Sequence, residues 1–245
     1  MTGDKILGQY AHFNALLPTV AEQVATLKAY VAKHYKGEGS DLLDKLDRVV
    51  DDGAPQTITN CKVVVVWLGS LRTTVHFYQD MVGQRQTAAG ARENSYVSHY
   101  GPLRCGPLRM ELDETAYQGY GDEPGVFIVS RLNLLDNWDP ESGSSVVQAR
   151  ANARAKRAAG EEYYLASIEA LALYAVADPN FYRSQDGRNL PYYDLAGIRS
   201  GDDLDEAPYS RWNAVYRQVS FISYEADGVG SYYAGPSFRG VTPVV

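Results

Sequence analysis

Apolar and polar positions alternate along Arg211–Tyr224 (RWNAVYRQVSFISY). Trp212, Ala214, Tyr216, Ile222 and Tyr224 share one parity, and Val215, Val219 and Phe221 the other. A period of two sends these sets to opposite faces of a strand. Both faces carry apolar side chains, so the strand is expected to be covered on both sides, by helices or by another subunit. Val219 and Phe221 are its expected core residues. Thr57–Leu68 (TITNCKVVVVWL) is apolar on both parities, and its four consecutive valines favour a buried central strand. Arg72–Tyr78 follows a Gly69-Ser70 turn as a second strand or a short helix. Val126–Leu135 (VFIVSRLNLL) predicts another strand. Tyr192–Arg199 is expected to pair with Arg211–Tyr224 across an acidic loop, Asp202–Glu206.

Elsewhere the period is helical. Thr19-Val20-Ala21-Glu22 has the form of a capping box, and Val20, Val24, Leu27 and Val31 then fall on one helical face. Gly37 and Gly39 end that helix. Ser40 can cap a second one, with Leu42, Leu43, Leu46, Val49 and Val50 as its apolar side and Gly53 and Pro55 as its stop. Ser144 or Ser145 can cap the longest helix, which runs to about Ala177 with Leu165, Ile168, Leu171, Ala172 and Ala175 on its apolar side. Gly160 lies within it at a cost of about 1 kcal/mol relative to Ala, and marks a place for a bend or break. Asp178-Pro179 ends it. Gln79–Glu93 reads as an exposed loop. Residues 95–125, rich in Gly, Pro and Tyr, read as long loops with a short strand at Leu108–Leu112. The segment 226–245 has no periodicity, but Tyr232, Tyr233 and Phe238 make it too aromatic for a free tail, so it is expected to dock. The fold class is α+β: a mixed or antiparallel sheet packed by one long helix. It divides into an N-terminal helical hairpin (1–56), a core (57–225) with a loop-rich insertion (79–125), and an extended tail (226–245).

Composition narrows the function. Of 245 residues, 45% are hydrophobic and 22% charged, which suits a globular protein and not a disordered one. The net charge of −7 disfavours general binding to nucleic-acid phosphates, which calls for a basic excess. No apolar run approaches the length of a membrane span, and the first residues do not read as a secretory signal. Cys61 and Cys105 belong to no CxxC or Cys/His cluster. They are expected to be reduced and buried, with a disulfide between them left open. Tyrosine is in excess: 19, against 6 Phe and 3 Trp. With an apolar ring and a polar tip, Tyr suits half-buried positions and interfaces.

The chemistry-bearing patterns are sparse. His12, His34, His76 and His99 are far apart in sequence, and HExxH spacing is absent. There is no G-x-S-x-G elbow and no glycine-rich phosphate loop. No catalytic residue, cofactor or metal site is therefore assigned. Asp202, Asp203, Asp205 and Glu206 read as a solvated hairpin loop, and Asp136, Asp139 and Glu141 as a weaker cation lure. Arg150, Arg154 and Arg157 fall at i, i+4 and i+7, with Lys156 beside them. That stripe is either a solvated face or a docking face for an acidic surface, such as the Asp202–Glu206 loop of a neighbouring copy. The candidate subunit interface is thus Arg150, Arg154, Arg157, Asp202, Asp203, Asp205, Tyr232 and Tyr233.

The order strand, long helix, strand, acidic loop, terminal strand resembles the tail-terminator and neck proteins of tailed phages. In that family an aromatic-rich antiparallel strand follows a polar loop, as Ser210-Arg211-Trp212 leads into Val219-Ser220-Phe221-Ile222-Ser223-Tyr224-Glu225 here. The resemblance covers about 100 residues and rests on element order; the N-terminal helices and the 95–125 insertion depart from smaller members. It implies a non-enzymatic virion component, assembled in the host cytoplasm: a homo-oligomeric ring, hexameric in that family, bound to other virion proteins and to neither membrane nor a specific nucleic-acid sequence. Two rival expectations stand beside it, another self-assembling coat or capsid-associated subunit and an enzyme with a dispersed active site.

Overall fold

The computed structural model describes residues 10–35, 39–90, 96–98, 109–185, 190–201 and 204–245. It is an α+β protein with antiparallel and mixed sheets. Its first part has a short helix α1 (Ala11–Asn14), α2 (Val20–His34), α3 (Ser40–Asp47), strand β1 (Cys61–Leu68) and α4 (Leu71–Ala88). Strands β2 (Tyr96–Ser98), β3 (Met110–Leu112) and β4 (Pro124–Leu132) follow. Then come α5 (Val146–Ala158), β5 (Tyr164–Leu165), α6 (Ile168–Val176) and α7 (Pro179–Arg183). The chain closes with β6 (Tyr192–Asp194), β7 (Ile198–Ser200), β8 (Glu206–Asn213), β9 (Gln218–Glu225), β10 (Tyr233–Ala234), β11 (Ser237–Phe238) and β12 (Val241–Val244).

Two larger sheets share one core. The first has the order β1-β4-β12, all antiparallel. In the second, β8 pairs β9 along one edge and β6 and β7 along the other; β10 and β3 extend it, and β2 runs parallel to β9. Helix α6 is buried all round, from Ile168 to Val176, as a helix apolar on every face must be. It packs on β1 and α4.

The four valines of β1 are fully buried, as their pattern predicts, yet among the described residues β1 is an edge strand. Its outward backbone groups are met by side chains instead of a neighbouring strand. The Gln56 side chain accepts from Lys62 N at 2.8 Å, and Gln23 accepts from Val64 N at 2.9 Å while donating to Lys62 O at 2.8 Å. Tyr78 Oη accepts from Val66 N at 2.6 Å and donates to Val66 O at 3.2 Å. Thr74 Oγ1 accepts from Leu68 N at 2.9 Å. Gln23, Thr74 and Tyr78 are themselves fully buried.

Several expectations are corrected. The long helix is two helices, divided at Gly160, where the sequence marks a bend or break. Gly160 adopts φ +84 just past α5, with Glu161 N bonded to Lys156 O and Gly160 N to Arg157 O. This 6→1 and 5→2 pair is a Schellman stop, which a glycine permits at little steric cost. Residues 79–88, expected as loop, continue α4: Ser70 Oγ caps Thr73 N, and Val75, Tyr78, Met81 and Val82 recur at helical spacing on the buried side. The single strand Arg211–Tyr224 is instead the hairpin β8–β9. Asn213 Oδ1 accepts from Val215 N and Tyr216 N at the turn, Arg217 takes φ 51, and Val215 and Tyr216 are exposed at its tip. Tyr192–Arg199 is broken at Leu195–Gly197 into β6 and β7, both paired with β8. The second helix begins one residue after Gly39, without a side-chain cap, and ends at Asp47. The N-terminal helices share the core of the sheets, since Leu27, Val31, Leu42 and Leu46 lie in one cluster with Val63–Val66.

The capping box at Thr19, the burial of Val219 and Phe221, and the docking of 226–245 are all present in the fold. Cys61 is a free, buried thiol whose Sγ donates to Leu132 O, and burial pushes it up to about 12. Cys105 lies outside the described residues.

The capped edge makes a test. Tyr78→Phe keeps the ring but leaves Val66 N–H and C=O buried and unpaired, so it should cost about 1–3 kcal/mol per orphaned group. Urea denaturation should show a lowered midpoint with an unchanged slope; an unchanged midpoint would mean that the edge does not depend on this hydroxyl.

Candidate functional site

The second sheet has two unlike faces. Along β8, Pro208, Ser210 and Trp212 point one way, towards the core that Val219 and Phe221 enter from β9. Ala207, Tyr209 and Arg211 point the other way. Register adds Asp194 opposite Tyr209, Ser220 opposite Arg211, Ile222 opposite Tyr209 and Tyr224 opposite Ala207. Tyr192 and Tyr233 are paired in the parallel β6–β10 ladder and join the same face.

The result is a tyrosine cluster. Tyr209 meets Tyr224 and Tyr233 edge-on at 5.2 and 5.0 Å between centroids, and Tyr224 stacks on Tyr233 at 5.2 Å. Tyr192 meets Tyr233 edge-on at 5.8 Å and Tyr232 at 6.5 Å. The Arg211 guanidinium lies 5.5 Å from the centre of Tyr192 and 5.9 Å from that of Tyr209, within cation–π range. Helix α5 covers the side of this face at Ala207 and Tyr224. Towards Tyr192 and Tyr232 the face is open: Tyr192, Tyr233, Arg211 and Ile222 are half-buried and Tyr232 is 47% exposed.

Under the cluster sits Asp194, buried. Tyr224 Oη donates to its Oδ2 at 3.1 Å, and its Oδ1 has no hydrogen-bond partner among the described residues. Burial drives its carboxyl well above the usual range, against the pull of the Tyr224 hydrogen bond and the Arg150 charge. Arg211 Nε is also buried without a partner among the described residues.

The arginine stripe is buried at one end and exposed at the other, at Arg154 and Arg157. Arg150 is 6% exposed and donates to Ala196 O at 3.0 Å and Ile198 O at 2.8 Å, with its Nε 3.4 Å from Asp113 Oδ2. It therefore anchors α5 to the β6–β7 break. Arg154 pairs with Glu114 at 2.6 Å, and Arg157 Nη1 donates to Glu114 O at 2.6 Å. The acidic surface that the stripe finds is residues 111–114 of its own chain. Together they line a cavity of about 390 Å³, with three arginines (150, 154 and 199) facing Glu111, Asp113 and Glu114. The signs balance, so the cavity has no charge preference for an anion.

The other predicted residues divide. Tyr232 and Tyr233 are brought together in the cluster. Asp205 is exposed and its carbonyl accepts from Ala226 N at 3.0 Å; Asp202 and Asp203 lie outside the described residues. Tyr192, Tyr209, Tyr224, Arg211 and Asp194 were not singled out from sequence. Their signal was the Tyr-x-Arg alternation at 209–211, hidden by reading the hairpin as one strand. Among the described residues no three His, Cys, Asp or Glu side chains converge as metal ligands, and no helix is long and apolar enough to cross a membrane. Asp139 is spent on its own turn, accepting from Glu141 N and Ser142 N. His12 packs on Phe13 and His34 on Tyr30, while burial and the nearby Arg72 pull His76 down to about 4. His99 lies outside the described residues.

Comparison with protein-family models, curated proteins and solved structures finds no match to this chain.

Two outcomes follow from this geometry. Arg150→Ala leaves Asp113 and two carbonyls without their buried partner and should cost about 3–5 kcal/mol. Arg154→Ala breaks an exposed pair and should cost less than about 1 kcal/mol. Equal effects in thermal or urea unfolding would show that burial does not separate the two. For Asp194 the folded pKa is raised, so its favourable contribution is complete below the ordinary value of 3.8 and is lost as pH rises above it. The stability of Asp194→Asn relative to the parent should therefore improve from about pH 4 to about pH 7. A difference independent of pH would mean that the carboxyl titrates alike in both states.

Proposed function

We propose that this chain is a structural subunit that associates with copies of itself through the Tyr192–Tyr232–Tyr233–Arg211 face. The specific form is a ring subunit of the tail-terminator or neck type in a tailed-phage virion. The observation that carries the reading is the open half of the tyrosine–arginine face. Tyrosine gives large contact area and a polar tip at low cost in side-chain entropy, arginine adds several donors in a planar fork, and both recur at the energetic centres of protein interfaces. A rigid sheet presents this face, with rings already locked against each other, so little ordering is needed on association. The order β4, helix pair, β6 and β7, β8–β9 hairpin supports the tail-ring form, with the helix in two pieces instead of one.

Light scattering on the purified chain tests it. The expected mass is a multiple of 27.0 kDa, and about six chains in a closed ring by electron microscopy supports the tail-ring form over a coat subunit. Tyr232→Glu should weaken association by about tenfold or more while leaving the fold intact, since that ring is the most exposed of the cluster. A 27.0 kDa particle at high concentration overturns the reading.

A further inference from the structure

Residues 231–245 run as a strap along β6, β5 and β4, and the groove beneath reads its backbone. Trp138 Nε1 donates to Ser231 O at 3.1 Å, Tyr192 N to Tyr232 O at 2.7 Å and Ser144 Oγ to Tyr233 O at 2.7 Å. Asn137 Nδ2 donates to Gly235 O at 2.8 Å, Ala166 N to Pro236 O at 2.8 Å and Ser130 Oγ to Arg239 O at 2.7 Å. The strap adds a short strand to each of three sheets: β10 to β6, β11 to β5 and β12 to β4. Residues 234–238 are buried along it, and Val241 and Val244 pack against the core. Phe238 is fully buried against Tyr164, and the Ser237 hydroxyl shares the Asp136 carboxylate with Tyr163. Main-chain bonds along an extended segment, with side-chain anchors, are how folded proteins receive an added strand.

The strap joins β9 through residues 226–230, which carry Gly228, Gly230 and the exposed Val229. It enters its groove at Tyr232 and Tyr233, inside the open tyrosine face. In an isologous contact, where both copies present this face, the partner's strap therefore begins beside this groove.

We propose that the groove formed by β4, β5, β6 and the 133–144 segment is a strand-receiving site, and that in the assembly it takes residues 231–245 of a second copy. This deepens the self-association reading above and rests on it. The segment that fits the groove bond for bond is the strap itself, so exchange replaces each contact with an identical one. The balance is then set by concentration and by the proximity that docking supplies.

A cross-link placed in the register tests this. Val129 and Val241 face each other across β4 and β12, and Ser130, the next residue on β4, makes the backbone bonds to the strap, so 129 and 241 are a non-hydrogen-bonded pair. Such pairs lie about 4.5 Å apart at Cα, within disulfide reach. Val129→Cys with Val241→Cys is prepared as full-length chains in light and heavy isotope, mixed, incubated and oxidised, and the 129–241 linkage is mapped by mass spectrometry. Exchange predicts linkages between unlike chains, their fraction rising about in proportion to concentration at low conversion. Linkages within single chains at every concentration overturn the proposal. Light scattering on the same samples separates the two readings: multimers with only intrachain links sink exchange and keep self-association, whereas monomers sink both. If the Val129 change unfolds the chain, Ile128→Cys with Thr242→Cys, the next pair in the register, gives the same readout.

Discussion

The fold depends on closing the open edge of β1. A strand buried on both faces normally lies between two others, because its outward N–H and C=O groups cannot be left dry. Among the described residues β1 has a neighbouring strand only on one side, and α2, α4 and α6 all pack against it. A partner strand is replaced by four side chains, those of Gln56, Gln23, Tyr78 and Thr74, each at the spacing of alternate residues. Two of these residues come from α4 and one from α2. The edge bonds therefore fix the rotation and axial position of both helices against the sheet. Apolar contact alone would tolerate sliding; a hydroxyl that must meet both Val66 N and Val66 O does not.

Buried polar groups fix the second half in a similar way. Arg150 ties α5 to the carbonyls at the break between β6 and β7, and Asp136 ties Tyr163 to the strap through Ser237. In α6, Glu169 is fully buried at the first turn; it accepts from Ser167 N and Oγ and from Tyr120, and burial still raises its carboxyl above the normal range. These groups are costly to bury and are nearly all satisfied, which is the condition under which they add specificity to a core. Asp194 and Gln86 break the pattern, with one carboxylate oxygen and both amide atoms lacking partners among the described residues, and Asp194 lies under the tyrosine cluster beside Tyr224.

Much of the fold could be read from the chain, and the failures share a physical cause. Elements with a local signature were read correctly: the capping box of α2, the valine run of β1 and the aromatic alternation that places Phe221 in the core. What failed were the punctuation marks. Gly160 marks a bend or break, but the apolar residues that resume beyond it read as the same helix, although Lys156, Arg157 and Gly160 together are a full helix ending. Asn213 sits where a period of two continues through the turn, so a hairpin looked like one strand. The candidate site suffered from the second error. With β8 and β9 merged, the face formed by Tyr209, Arg211 and Tyr224 could not be seen. Arg150 failed for another reason: helical spacing puts it in line with Arg154 and Arg157, but only tertiary packing reveals that this end of the stripe is buried.

The tyrosine excess shows why composition alone does not locate an interface. Tyr78, Tyr163, Tyr174, Tyr182 and Tyr193 are at most 2% exposed, and these rings serve the interior. There Tyr78 caps backbone, Tyr163 bonds Asp136, and Tyr174 stacks on Tyr182 at 4.5 Å. A buried tyrosine whose hydroxyl finds a partner specifies geometry as well as filling volume; Tyr193, whose hydroxyl has none among the described residues, fills volume alone. The rings of the open face differ in that they pack chiefly on one another and on Arg211. Tyr192 is half-buried and Tyr232 is 47% exposed, so part of each ring faces outward and is not spent on the core. An aromatic side chain that stabilises its own fold weakly but is held rigidly by its neighbours is best explained by a surface that is covered in use. That argument concerns only those residues of the excess that the fold does not consume, and it places them where the strap enters its groove.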